Sequence, residues 1–355
     1  MSPFGCYNMA GNVAEWCLNE QAEGFSAPGG SWQDPAYMFG WIGAFPGFYS
    51  SSTVGFRCVL NSPQATGDQG AMRITKEETE AFAPSREVSF NVLLSHYRYD
   101  KTPLNAQVIE ATETNEWRRE KITYVGANDE RALAYLYLPK NFPPPWQVIQ
   151  FVPGDDAFFG RSIPAYVETL LAPYIKSGRA VLAVVLKGHL ERENSPAYKR
   201  PSGKSVKYGE VIVNWTTDLR RGLDYLETRT DLDASKIGFC GVSGGASRDG
   251  LIVTAVETRY RSVILMGGGL SKSWTEWLPE FNPVNFAPHI RAPKLLLNGR
   301  YDEVFVFKTE AEPLYKLLLE PKRLALFDGG HFASLEVAVP IVNGWLDETL
   351  GPVKH

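Results

Sequence analysis

The stretch that decides the fold is "KIGFCGVSGGASRDG", residues 236–250. It begins with an apolar run typical of a buried strand, passes through a glycine-rich turn, and continues into residues compatible with a helix. The turn holds a G-x-S-x-G pattern with Ser243 between Gly241 and Gly245. Glycine allows the backbone conformations that a tight turn needs, so we expect Ser243 at its tip, before a helix over about 244–258. The alternative is an ordinary serine in a glycine-rich turn, which the strand–turn–helix context makes less favourable.

Short apolar runs alternate with helical patterns on both sides of this stretch. The runs "QVIQFVP", "AVLAVVL", "SVILMGG", "KLLLNG" and "RLALFDGG" predict further buried strands. Helices are predicted at 163–178 and 209–229, where apolar residues recur at helical spacing. This alternation is typical of a parallel sheet covered on both faces, while "AQVIEATETNE", "EKITYVGAN" and "RALAYLYLP" predict an antiparallel start. The predicted fold class is therefore α/β.

A serine hydroxyl needs a base and an acid before it can act as a nucleophile near neutral pH. In a sheet of this kind the order along the chain is serine, then acid, then histidine, each just after a strand. His331 follows the "RLALFDGG" strand and Asp302 follows the "KLLLNG" strand, so we expect these two as base and acid. Glu303 and Asp328 are the rival acids. The other histidines fit the order less well, and they are His96, His189, His289 and His355.

An oxyanion hole requires two backbone N–H groups that point at the developing negative charge. We expect one from Gly244, directly after the nucleophile. The second is expected from Asp155 in the "PGDDAFFG" loop, with the side chains of Asp155 and Asp156 turned away from the charge.

Two further features bear on the substrate. Trp274 and Trp277 are candidates for the wall of a substrate pocket, although packing of a surface segment is an equally good role for them. The polar segment 189–210 is expected to form a rim or cap over the site. The sequence leaves the acyl and alcohol specificity and the oligomeric state open.

Residues from about 90 to 350 resemble the α/β-hydrolases of the esterase and acyl-peptidase superfamily. The resemblance rests on "GFCGVSGG", "LLLNGRYDEVF" and "FDGGH" in that order. It implies an α/β-hydrolase fold with Ser243 as nucleophile, Asp302 as acid and His331 as base. It does not specify a substrate.

Residues 1–60 resemble the final part of a formylglycine-generating-enzyme-like (sulfatase-modifying-factor) domain, through "YNMAGNVAEW", "GGSW" and "GFRC". The resemblance implies a non-catalytic, loop-rich segment, because the stretch before "GFRC" lacks the cysteines of the active enzymes. It also makes Asn12 and Glu15 candidates for calcium binding, with packing and loop hydrogen bonds as the favoured alternative. Bacterial proteins that join a kinase, such a domain and a hydrolase share this arrangement.

The expected domain limits follow from these resemblances and from composition. They are 1–60 for the N-terminal segment, 61–87 for a linker with a short helix at 75–84, and 88–355 for the hydrolase. We expect the N-terminal aromatic residues to pack on the hydrolase and to contribute stability rather than chemistry, since 60 residues bury them poorly alone. A second copy of the chain is the other candidate surface.

Composition narrows the classes of function. The 355 residues carry a net charge of −4, which disfavours a nucleic-acid or anionic-membrane surface. No apolar run is long enough for a membrane helix, and no signal peptide is evident at the N-terminus. The four cysteines show no disulfide or metal pattern, so we expect no metal and no cofactor. The sequence therefore predicts a soluble, cytoplasmic protein.

Three functional hypotheses remain. The first is a serine carboxylesterase that cleaves a small-molecule ester through an acyl-enzyme. The second is a catalytically silent sensor or docking module of a kinase-linked protein, which a complete set of three catalytic residues disfavours. The third is an acyl-peptidase, or a prolyl-oligopeptidase-type enzyme, although the 87 residues before the hydrolase are too few for the usual β-propeller.

Overall fold

The computed structural model describes residues 6–21, 24–34, 36–40, 42–58, 82–85, 89–158, 162–192 and 204–353. Most of the predicted linker with its short helix, the middle of the predicted rim segment and His355 lie outside these residues.

The described strands are short near the N-terminus and longer from residue 107 onward. In chain order they are β1 (Ala14–Glu15), β2 (Glu20–Gln21), β3 (Gly24–Pro28), β4 (Ile42–Phe45), β5 (Val54–Gly55), β6 (Gln107–Glu113), β7 (Trp117–Val125), β8 (Arg131–Pro139), β9 (Trp146–Val152), β10 (Ala180–Val185), β11 (Leu232–Val242), β12 (Tyr260–Met266), β13 (Lys294–Gly299) and β14 (Lys322–Phe327).

Nine of these strands form one central sheet in the spatial order β14-β13-β12-β11-β9-β10-β8-β7-β6. Pairing is parallel from β14 across to β10 and antiparallel from β10 through β8 and β7 to β6. The expected parallel sheet with an antiparallel start is therefore confirmed. The carboxyl ends of the parallel strands meet at one edge, where loops from different strands come together.

The described α-helices cover the sheet. They are α1 (Phe90–Ser95), α2 (Ile163–Leu170), α3 (Ala172–Lys176), α4 (Val206–Glu227), α5 (Leu251–Val256), α6 (Glu312–Leu317) and α7 (Leu335–Leu350). One apolar cluster lies between the sheet and α4, α5 and α6, and a second lies between the sheet and α2, α3 and α7. Helices thus pack on both faces, which explains why the central strands are apolar at almost every position.

The single helix predicted at 163–178 is wrong in one respect, because the chain forms two helices that meet at Leu171. Pro173 stands in the first turn of the second helix. Proline has no N–H to donate and disfavours helical geometry in the residue before it, so the two segments separate there.

The N-terminal strands form two small sheets beside the main one. Their apolar cluster is centred on Ala14, Ala27 and Phe45, and Tyr301 from the loop after β13 packs against it. The ring centroid of Tyr301 lies 6.2 Å from that of Phe45 and 5.6 Å from that of Tyr49. The N-terminal segment therefore packs on the larger body. Not every aromatic residue there is covered, since Trp32 and Phe48 stay largely exposed.

Truncation of a buried core residue is expected to cause a measurable loss of stability. Leu296 in β13 is fully buried, so Leu296→Ala is expected to lower the free energy of unfolding by about 2–5 kcal/mol through lost burial and the cavity left behind. Urea denaturation followed by circular dichroism measures this. Leu319→Ala is the matched control, since Leu319 is 58% exposed and its truncation is expected to change stability by less than about 0.5 kcal/mol. Equal losses in the two variants would contradict the core assignment.

Candidate active site

Ser243 lies at the turn between β11 and the helix that follows. Its φ of +53° is rare for a residue with a side chain and marks a tight turn. Its backbone N–H donates to the carbonyl of Met266 at 2.8 Å, and its own carbonyl accepts from the N–H groups of Ala246 and Ser247. The turn is thus fixed on both sides, and the strand–turn–helix geometry expected for a nucleophile is present.

The glycines around Ser243 are required by close backbone contacts. A Cβ at Gly241 would lie 2.3 Å from the carbonyl oxygen of Gly245. A Cβ at Gly245 would lie 2.3 Å from the carbonyl oxygen of Pro153 and 2.4 Å from that of Val152. Larger residues at these positions would force the turn away from the end of β9.

The helix predicted over about 244–258 differs in detail. The chain first forms a π-helical segment at Gly245–Gly250 and then α5. Such wide turns are often found at functional sites in helices.

Asp302 and His331 are brought together at the same edge of the sheet. Nδ1 of His331 lies 2.9 Å from Oδ2 of Asp302, and both side chains are buried. The other carboxylate oxygen, Oδ1, accepts backbone N–H groups of Val304 and Phe305 at 2.8 Å each. These bonds hold the carboxylate in place, so it can fix the orientation and tautomer of the imidazole.

The imidazole of His331 lies against the turn that also binds Ser243. A Cβ at Gly267 would lie 2.9 Å from Cε1 of His331, and the preceding residue, Met266, accepts the N–H of Ser243. Nε2 of His331 is buried and has no hydrogen-bond partner among the described residues, so no bond to Ser243 Oγ is formed in this structure. In enzymes without substrate such contacts are often loose and tighten on binding.

The charge near His331 raises its pKa. Burial alone would lower the pKa, but the Asp302 carboxylate and its hydrogen bond, followed by Glu303 and Asp156, place it above the ordinary value of 6.5. A protonated imidazole cannot act as a base, and the raised pKa extends the protonated state to higher pH.

The rival acids occupy different surroundings. Asp328 is exposed and pairs with Arg300 at 2.9 Å. Glu303 makes no hydrogen bond to His331, and its Oε2 atom is buried without a hydrogen-bond partner among the described residues. Burial and then the charge of Asp302 raise the pKa of Glu303 to about 7.

The remaining described histidines lie in other settings. His289 stacks on Phe90, with ring centroids 3.7 Å apart, and His189 contacts the rings of Phe158 and Trp215. His96 is exposed.

The two expected oxyanion donors are neighbours. Asp155 begins a short 3₁₀ turn after β9. A Cβ at Gly244 would lie 3.5 Å from the backbone nitrogen of Asp155 but only 2.4 Å from its Oδ1 atom, so the expectation that this side chain turns away is wrong. The Asp155 carboxylate is bound by Arg248, with Nη1 to Oδ1 at 2.9 Å, so it is held by a cation. Asp156 is close enough to contribute to the raised pKa of His331.

Arg248 was not singled out from the sequence. It is buried, binds both carboxylate oxygens of Asp249, and lies over the ring of Trp215 at 5.0 Å. Its position five residues after Ser243 is the signal that was available, but its contact with Asp155 depends on the tertiary structure.

The two tryptophans pack mainly on other aromatic residues. Trp274 is buried and its ring lies 5.4 Å from that of Trp277, which in turn contacts Tyr208. Trp274 also approaches Phe305, whose ring lies 6.0 Å from that of His331. Their role in a substrate pocket stays a prediction.

Metal binding finds no support in the part of the chain that the structure describes. No group of three or more His, Cys, Asp or Glu side chains is arranged to hold an ion there. Glu15, a candidate calcium ligand, instead binds the guanidinium of Arg57, and Asn12 accepts the N–H of Trp32 through its backbone. Of the described helices, none has the length and apolar character that crossing a membrane requires.

Comparison with known proteins identifies the fold of this chain. No protein-family model and no curated protein sequence matches this chain. Solved structures do match. An acetyl xylan esterase from Paenibacillus sp. R4 is 19% identical with a TM-score of 0.57, over 74% of this chain and 93% of that protein. An acetyl xylan esterase from Thermoanaerobacterium sp. JW/SL YS485 is 15% identical with a TM-score of 0.59, over 73% and 92%. A cold-adapted esterase from an Arctic intertidal metagenomic library is 20% identical with a TM-score of 0.54, over 70% and 100%. These similarities confirm the α/β-hydrolase fold.

The electrostatics of the site predict a pH dependence. Ester hydrolysis is expected to rise with pH as His331 loses its proton, at a pH above 6.5 because the folded-state pKa is raised. Glu303→Gln removes one of the negative charges that raise this pKa, so the rising limb is expected to move to lower pH. The measurement is kcat/KM against pH for both proteins. An unchanged limb, or a shift to higher pH, would contradict the placement of Glu303.

Proposed function

We propose that this protein is a serine esterase that hydrolyses carboxylic esters through an acyl-enzyme. The observation that carries the proposal is the buried Asp302–His331 pair, which lies against Gly267 next to Met266, the residue that accepts the N–H of Ser243. The positive φ of Ser243 at a strand–turn–helix junction also supports it. The structurally similar proteins are esterases, which adds support. This similarity does not carry the proposal, because the fold alone does not determine function.

In the first half of the reaction, Ser243 Oγ attacks the ester carbonyl carbon while Nε2 of His331 takes the hydroxyl proton. Asp302 holds the imidazole through Nδ1 and stabilises the imidazolium. The carbonyl oxygen becomes an oxyanion and accepts the N–H groups of Gly244 and Asp155. The carbon–oxygen bond to the alcohol then breaks, and His331 returns its proton to the leaving oxygen.

In the second half, water replaces the alcohol. His331 takes a proton from the water, whose oxygen attacks the acyl carbon. The bond to Ser243 Oγ breaks, His331 returns the proton to that oxygen, and the carboxylic acid leaves. No cofactor takes part in these steps.

The ion pair between Arg248 and Asp155 supports the assignment of the oxyanion donor. An unpaired carboxylate beside the developing negative charge would oppose catalysis. With its charge bound by Arg248, the Asp155 residue offers its backbone N–H at a lower electrostatic cost.

The domain limits enter as part of the proposal. We assign the hydrolase to 88–355, the linker to 61–87, and the N-terminal segment to 1–60 as a formylglycine-generating-enzyme-like remnant without oxidase chemistry. The assignment of the remnant rests on the sequence resemblance alone.

Ser243→Ala is expected to reduce the hydrolysis of p-nitrophenyl acetate by about 10⁴-fold or more, because no other group forms the acyl-enzyme. The matched control is Ser235→Ala, which removes an exposed hydroxyl and is expected to keep full activity. A fluorophosphonate probe with mass spectrometry is expected to label Ser243. Retention of activity by a folded Ser243→Ala protein would refute the proposal.

Asp302→Asn is expected to lower kcat by about 10³–10⁴-fold, because the amide no longer holds His331 in the required tautomer. Asp328→Asn tests the rival acid with the same chemical change on an exposed side chain, and it is expected to stay within about twofold of the unmodified protein. The measurement is kcat for both variants, with circular dichroism to verify folding. The reverse pattern would move the acid to Asp328.

A further inference from the structure

A cavity of about 460 Å³ lies between the N-terminal segment and the loop that carries His331. We call it the junction cavity. The lining residues that matter here are Asp34, Phe45, Tyr49, Glu303, His331 and Phe332. A volume of this size is enough for a small organic group.

The described lining residues of the junction cavity that can carry a charge near neutral pH are two carboxylic acids and His331. Asp34 and Glu303 contribute carboxylates, and no Lys or Arg occurs among the described lining residues. The remaining polar lining is mostly neutral serine and threonine hydroxyls. Asp34 accepts the N–H of Ser31 at 2.6 Å, which holds its side chain in place.

Glu303 is the residue of this cavity whose carboxyl group has a buried oxygen, Oε2, without a hydrogen-bond partner in the described structure. A buried carboxylate is costly unless a cation or a hydrogen-bond donor reaches it. Burial and then the charge of Asp302 raise the pKa of Glu303 to about 7, because together they outweigh the opposite effects of His331 and of a backbone hydrogen bond.

Aromatic side chains complete the lining. The rings of Phe45 and Tyr49 are stacked with centroids 4.6 Å apart, and the ring of Phe332 lies 4.7 Å from that of His331. Aromatic rings beside carboxylates suit an alkylammonium group, which is drawn to both and is weakly hydrated. An anionic group would be repelled by the carboxylates, and a neutral group would gain hydrogen bonds but no charge attraction.

The position of the cavity indicates which part of the ester it would hold. Its wall includes His331 and the residues on either side, but not Ser243. His331 delivers its proton to the oxygen of the departing alcohol, so the alcohol must lie on the histidine side of the site.

We propose that the junction cavity binds an alkylammonium group carried by the alcohol part of the ester, so that the enzyme prefers esters of amino alcohols. The inference rests on the proposed esterase function. It gives the N-terminal segment a part in specificity, through Asp34, Phe45 and Tyr49, which goes beyond the contribution to stability expected from the sequence.

The test compares acetylcholine with 3,3-dimethylbutyl acetate, which has the same shape and a carbon in place of the charged nitrogen. The expected ratio of their kcat/KM values is at least about tenfold in favour of acetylcholine. Glu303→Gln and Asp34→Asn are each expected to lower the ratio severalfold, and the double variant is expected to bring it near one. Because both esters are measured on the same variant, any general loss of activity cancels.

Asp328→Asn is the matched control, because it removes a carboxylate of the same loop region that does not line the cavity. It is expected to leave the ratio unchanged. A ratio near one in the unmodified protein, or a ratio kept in the double variant, would overturn the inference while leaving the esterase function intact.

A binding measurement separates the two proposals if neither ester is cleaved. Choline is titrated calorimetrically into the full-length Ser243→Ala protein. Binding that weakens about tenfold in Ser243→Ala with Glu303→Gln supports the cavity even when the hydrolysis of these esters fails. Absence of choline binding up to 50 mM, about the limit of a weak site, would overturn it.

Discussion

The close approach of Gly245 to the end of β9 is the constraint on which the site depends. Only a residue without a side chain fits there, because a Cβ would overlap the carbonyl oxygens of Val152 and Pro153. This contact brings the turn of Ser243 beside the loop that begins at Asp155. Ser243 and both expected oxyanion donors are therefore placed by one backbone contact, and the parallel order of the strands brings Asp302 and His331 to the same edge.

The sequence was sufficient for the sheet and for the pairing of Asp302 with His331. Buried parallel strands are apolar at nearly every position, and their ends share one edge, so chain order predicts which polar residues meet. The sequence was insufficient for features that depend on residues far apart in the chain. The ion pair of Arg248 with Asp155, the burial of Glu303 and the contact of Tyr301 with the N-terminal segment all depend on tertiary packing. The break at Leu171 was readable from Pro173, but the apolar periodicity continued across it.

Two neighbouring carboxylates meet different conditions in this structure. Asp302 accepts two backbone N–H groups and faces His331, so its negative charge is well supported. Glu303, one residue later, has a buried oxygen without a described partner, and its pKa is raised by burial and then by the charge of Asp302. Like charges placed this close cannot both ionise freely. The loop after β13 therefore carries two acids in different states. Asp302 is a fixed anion that orients the imidazole, and Glu303 is an acid whose charge depends on its surroundings.

The packing of Tyr301 on Phe45 and Tyr49 has a consequence for biosynthesis. About 250 residues separate the two sides of this contact in the chain. The N-terminal side leaves the ribosome first, because the chain is synthesised from its N-terminus. The aromatic face of the first segment is then made long before its covering surface exists. During that interval a nascent chain presents apolar area of the kind that chaperones bind and that promotes aggregation. Translation speed and chaperone supply thus bear on the yield of folded protein.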